Sequence, residues 1–155
     1  MKFKKLFVII TIALVISSCL LTKKNKLTSN LITIQSSEIY CGGAAPPDDL
    51  LNEMALIKPM INRDVEVFLK KDLDLKPIIL RTNEKGEINV NKALGQSIYI
   101  NIYPSIEQFK VDKVEYACYK AFILENLIQV KLSDKQHSYA ISTVIKCNPC
   151  TPPIP

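Results

Sequence analysis

The chain has 155 residues and a formal net charge of +5, a length suited to one domain with a core of its own. Lys2, Lys4 and Lys5 fall in the first five positions, which leaves 17 basic against 15 acidic groups and a net charge of +2 for the rest. No basic tract with interleaved aromatics is present, so there is no case for nucleic acid, and the apolar content from about residue 31 onward is that of a globular chain rather than a disordered one.

The first five residues, MKFKK, are basic, and Leu6 to Ile16, LFVIITIALVI, is apolar except for Thr11. Ser17 and Ser18 follow, then Cys19. This order is that of an exported chain's signal, a charged segment, an apolar segment and a small-residue boundary. The apolar run is too short for a membrane-spanning helix, which needs about 20 residues. Ile16-Ser17-Ser18-Cys19 resembles the lipobox of bacterial lipoproteins, with Ser18 where Gly or Ala is commoner. The resemblance implies that residues 1–18 are a signal peptide and that Cys19 becomes an acylated first residue (palmitate among its chains). The protein would then sit in the cell envelope, with the membrane as a partner. Ordinary cleavage nearby, releasing a free protein, is the alternative. Two or more acyl chains give stable anchoring, whereas one holds only marginally.

Residues 19–30 carry lysines and no apolar period, and read as a tether. The folded part is expected over 31–155. LITIQ, from Leu31, alternates as a strand does. CGGAAPP, 41–47, is a loop. DDLLNEMALI, 48–57, reads as a short helix, with Asp48 and Asp49 at its start and Leu50, Leu51, Met54 and Ile57 at helical spacing. Further short strands are expected at 65–70, 77–80, 88–90, 97–103, 127–132 and 138–146. Residues 114–126, VEYACYKAFILEN, suit a helix or a crossing segment with a short strand. About seven strands and one short N-terminal helix predict a mainly β fold, a β-sandwich with Greek-key-like connections.

Thr82-Asn83-Glu84-Lys85-Gly86-Glu87-Ile88, then Leu94-Gly95 and Ser97-Ile98-Tyr99-Ile100, look like the hairpin of transthyretin-like, carboxypeptidase-regulatory-like domains. Asn83 stands where Asp is usual there, and Ile88 where an aromatic is usual. Cys41-Gly42-Gly43-Ala44-Ala45-Pro46 and the closing Cys147-Asn148-Pro149-Cys150 with its Pro-rich tail are similar to a group of uncharacterised cell-envelope lipoproteins. What this implies is a prealbumin-like sandwich that binds or stabilises, with no catalytic residue to carry over. The chain has no H-x-x-E and one histidine, so zinc carboxypeptidase chemistry is not expected.

With Cys19 acylated, Cys41, Cys118, Cys147 and Cys150 remain, an even number that suits disulfides in an exported chain. Three pairings are possible. Long-range bridges from Cys41 and Cys118 to the terminal pair are favoured, because they would clamp a Pro-rich segment that lacks packing. A four-cysteine zinc site has only one correctly spaced half. A redox role for Cys147 and Cys150 lacks a helix after the motif to lower a thiol pKa. His137 reads as a solvated turn residue, and extended geometry disfavours a triad with Ser138 and Asp134. Asp72 and Asp74 read as a solvated turn, and Tyr99, Tyr103, Tyr116 and Tyr119 as core and rim. The expectation is therefore no enzyme, metal or cofactor. It is an envelope lipoprotein that binds or scaffolds an unknown partner, in an unknown leaflet. The alternatives are a small-ligand carrier and a thiol-redox protein.

Overall fold

A computed structural model describes residues 29–91, 94–109 and 113–150. Cys19, the signal, most of the tether and the final TPPIP lie outside the described residues. Among the described residues, eight strands form two four-stranded sheets. The first sheet centres on β1 (Ser29–Glu38). It is flanked on one side by β5 (Glu87–Asn91) and the two-residue β2 (Lys58–Pro59), both antiparallel, and on the other by β8 (Ser138–Ile145), parallel. The second sheet runs β4 (Ile78–Arg81), β3 (Asp64–Phe68), β6 (Ser97–Asn101), β7 (Ile128–Lys131), all antiparallel.

β1 buries every second residue, Asn30, Ile32, Ile34 and Ser36, as a strand with one face on a core must. Ile32, Ile34, Ile88 and Val90 from the first sheet meet Val65, Val67, Ile98, Ile100 and Val130 from the second in one cluster. The two sheets thus face each other across a shared aliphatic core, as in a sandwich. Each fully buried Ile or Val there contributes about 1.5–3 kcal/mol.

β3 departs from alternation because Val65, Glu66, Val67 and Phe68 are all buried. Its outer face is covered by a second layer. Helix α2 (Lys113–Asn126) lies there, with Tyr119, Phe122 and Ile123 packed against Phe68, Leu73 and Ile106. Ile106 belongs to a single 3-10 turn, Ile106–Phe109, which the sequence reading did not anticipate. The segment 114–126 is therefore a helix. Its Tyr, Phe, Ile and Cys content suits strands, but Tyr116, Tyr119, Phe122 and Ile123 recur at three- and four-residue spacing and line one face. Asn126 closes it by donating its side-chain amide to the Phe122 carbonyl at 2.7 Å. Among the described residues there are two α-helices, where one was expected. The other, α1 (Asp48–Ala55), stands where the sequence placed a helix.

Two further expectations are corrected. The first strand, expected from Leu31, begins at Ser29 inside the segment read as a tether, and Asn30 is fully buried opposite Val90. A short amide does not read as a core residue in a polar run. The segment 78–101 is also not a hairpin. β4, β5 and β6 lie in the second, first and second sheets in turn, and none pairs with the next. The Asn83–Gly86 turn carries the chain from one sheet to the other. Asn83 Oδ1 accepts the N–H groups of Lys85 and Glu87 at 2.8 and 2.9 Å. Gly86 has φ +73°, its carbonyl accepts the Ile34 N–H at 2.8 Å, and a Cβ there would come within 2.7 Å of the Ile34 carbonyl. Only glycine fits both the backbone angle and the close approach.

Candidate functional site, an open apolar groove beside helix α1

The segment between β1 and β3 is held at both ends. At one end Cys41 is bonded to Cys147, with Cα atoms 5.5 Å apart. At the other, Lys58 and Pro59 pair with Ser36 and Gln35 of β1. Between them lies α1, only eight residues long, with Asp48 and Asp49 in its first turn and no side-chain cap. A helix this short is marginal alone, and its own contacts are local. The Leu51 N–H makes the first i→i−4 bond to the Pro47 carbonyl at 3.2 Å, and Lys58 Nζ meets Glu53 Oε1 at 3.1 Å in an exposed pair. The two anchors at the ends of the segment hold it in place.

No residue of α1 is buried. Leu51 is 42% exposed, Leu56 58% and Ile57 60%, and Ile39, Leu50 and Ile61 are exposed beside them. Six large apolar side chains are thus left to solvent in the span from Ile39 to Ile61. Four of them, Ile39, Leu50, Leu56 and Ile61, border two recesses, of about 530 and 390 Å³, between α1, the end of β1 and the loop before β3, whereas Leu51 and Ile57 line neither. The recesses share Glu38, Met54, Met60, Arg63 and Ile145, so they form one groove with an apolar floor and a charged rim. The groove is open to solvent and is not an enclosed cavity. Leu69, Leu75, Ile78 and Ile79 are also exposed.

The remaining sequence candidates have structural surroundings. Cys118 on α2 is bonded to Cys150, with Cα atoms 5.8 Å apart. The pairing is thus one of the two long-range arrangements favoured from the sequence. Cys147 and Cys150 are bridged to different partners, not to each other. Among the described residues no group of three or more His, Cys, Asp or Glu is placed to hold a metal ion. The His137 carbonyl accepts the Leu31 N–H at 2.8 Å, at the opposite end of β1 from the groove. Asp72 Oδ1 accepts the Asp74 N–H at 2.9 Å, and Asp74 pairs with Lys120 of α2. The tyrosines belong to the second core. Tyr103 meets Phe122 edge-on at 4.9 Å, and Tyr119 donates its hydroxyl to the Pro104 carbonyl at 2.8 Å. Burial, then the Glu66 carboxylate and Tyr103, push the Tyr119 phenol well above its ordinary value. Glu66 itself is buried and accepts the Asn101 side-chain amide at 2.9 Å.

The sequence reading missed the groove. Its signal was present in Leu56, a large apolar residue just past α1 that stays mostly exposed among the described residues. No helix of the described residues is long and apolar enough to cross a membrane. No protein family, curated protein or solved structure matches this chain.

Proposed function

We propose that this chain is a lipid-tethered module of the bacterial cell envelope that binds or scaffolds a partner protein through the groove beside α1, without catalysis. The tether would start at an acylated Cys19, and the fold would be a prealbumin-like Greek-key sandwich. The apolar surface left exposed from Ile39 to Ile61 carries this reading. A stable monomer seldom leaves a contiguous apolar patch around a recess unless something binds there. The staple at Cys41–Cys147 supports it, because it fixes the segment that presents α1. Bridging of Cys147 and Cys150 to separate partners supports stapling over thiol redox cycling. The test is a photo-crosslinking residue at Ile61, an exposed residue that lines the groove, in the chain expressed in its own envelope. A discrete adduct is expected, absent when the probe replaces exposed Lys135 at the other end, and lost with Leu56→Ser. Equal adducts from both positions would contradict the reading.

The volume of the recesses favours a second reading. It falls in the range of small-ligand sites, about 300–1,000 Å³. A carrier would retain a small apolar molecule through native mass spectrometry of the protein from its envelope.

A further inference from the structure

The sheet edges are unequal. β4 has four residues and ends in Arg81, β7 has four and ends in Lys131, β5 opens with Glu87, and β2 is Lys58–Pro59. Shortness, charge and proline are the usual devices that stop an edge from recruiting another strand. β8 has none of them. It is SYAISTVI, eight residues with no charge and no proline, and among the described strands it pairs with β1 alone.

The hydrogen bonds fix which backbone groups of β8 are left over. The Leu31 N–H goes to the His137 carbonyl and the Ile39 N–H to the Ile145 carbonyl, and the register between them is unbroken. In a parallel pair this commits the odd-numbered residues of β8 to β1. The N–H and C=O groups of Ser138, Ala140, Ser142 and Val144 therefore point out of the sheet edge. The Ser138 carbonyl accepts from Gln136 Nε2 at 2.8 Å. The side chains of these four residues are exposed, and none is larger than valine.

We propose that β8 pairs with β8 of a second copy of this chain, antiparallel about a two-fold axis at Ile141, so that two four-stranded sheets become one of eight. The strand is complementary to itself in that register. Ala140 faces Ser142 of the other copy, Ser138 faces Val144, and both members of each pair turn their backbone groups toward each other. Four such residues per copy supply about eight hydrogen bonds. No like charges oppose each other, since Lys146 meets Gln136 and Lys135 meets Cys147. The closed two-fold arrangement uses up both edges, as isologous dimers do. If Cys19 is acylated, residues 20–28 can span about 30 Å, enough for both anchors to reach one membrane with the strands lying along it. The proposal does not rest on the groove, which touches this strand only at Ile145, a residue whose backbone groups face β1.

The test uses the exported chain with Cys19→Ser and its disulfides intact, followed by sedimentation velocity and amide exchange at several concentrations. A dimer that dissociates on dilution is expected. Exchange at Ala140, Ser142 and Val144 should slow by at least about tenfold on concentration, while Tyr139, Ile141 and Thr143 stay protected throughout. The double substitution Ala140→Lys with Ser142→Lys places lysine opposite lysine on the solvent face and should weaken the dimer about tenfold or more. Its circular dichroism and disulfide content should be unchanged. If that variant misfolds, the exchange pattern of the parent decides. A monomer at several hundred micromolar overturns the proposal. So does a dimer indifferent to these residues, or protection that arises only with a different envelope protein.

Discussion

Opening the Cys41–Cys147 bridge gives a loss of stability that can be worked from chain length. The bridge closes a loop with a sequence separation of 106, against 32 for Cys118–Cys150. In the chain-entropy account the longer loop contributes about 4.7 kcal/mol and the shorter about 3.7 kcal/mol. Cys41 and Cys118 are both exposed, so truncating either removes little packing. For a folded unit of about 120 residues, these losses lower Tm by about 19 and about 15 °C. The variants are Cys41→Ala with Cys147→Ala, and Cys118→Ala with Cys150→Ala, each compared with the parent in urea and by calorimetry. The denatured chain of the first variant is also less constrained, so its m-value should rise more. The loops interlock, because Cys118 lies inside the longer one, so removing both bridges should not give the sum of the two losses. A loss below about 1 kcal/mol for the longer loop, or a greater loss for the shorter, would refute the entropic reasoning.

Further outcomes follow from the structure. Leu56→Ser with Ile57→Ser should change the urea midpoint little, by about 0.5 kcal/mol per site or less, because both side chains are mostly exposed, whereas Ile98→Ala should cost about 2–5 kcal/mol by leaving a cavity between the sheets. Asn30→Val should raise stability by about 1–3 kcal/mol in the same assay, since neither polar atom of this buried amide meets a hydrogen-bond partner among the described residues. Tyr119 gives a pH dependence. Its folded pKa is raised, chiefly by burial, so its contribution is complete below the unfolded value of about 10 and declines as pH rises through the folded value. Urea midpoints at successive alkaline pH should therefore fall less steeply for Tyr119→Phe than for the parent, after an offset of about 1 kcal/mol for the lost bond to Pro104. At the sheet-crossing turn, Asn83→Ala should cost about 1–2 kcal/mol in thermal melts, by freeing the two N–H groups that its carbonyl holds.

Asn83 also shows why a departure from a motif can be physical. An aspartate would accept the same two N–H groups. It would lose the donor that Asn83 Nδ2 gives to Glu87 Oε2 at 2.9 Å, and would set two carboxylates together. The resemblance was legible as a motif, but the sheet each strand joins was not. That is decided by Gly86 against Ile34, a contact between residues 52 positions apart.

Most strands were legible because their apolar residues alternate over four or more positions, and α1 because its acids and apolar residues fall at helical spacing. β2 was not, since two residues carry no period. α2 stayed ambiguous because propensity and spacing disagreed, and packing on Phe68 and Ile106 decided for spacing. The parallel pairing of β1 with β8 joins the two ends of the described chain and leaves no local trace. The four disulfide cysteines were legible as residues, and their pairing only as far as a preference for the two of three arrangements that bridge to the terminal pair. The groove was not legible, because an amphipathic helix pattern does not say whether its apolar side will be covered.

The most direct measurement is the intact mass of the protein extracted from its envelope, after alkylation of accessible thiols, with and without prior reduction. A tethered, stapled module predicts acyl mass on a chain that begins at Cys19, no alkylation before reduction, and four alkylated thiols after it. An unlipidated chain, or thiols that react without reduction, would contradict the account.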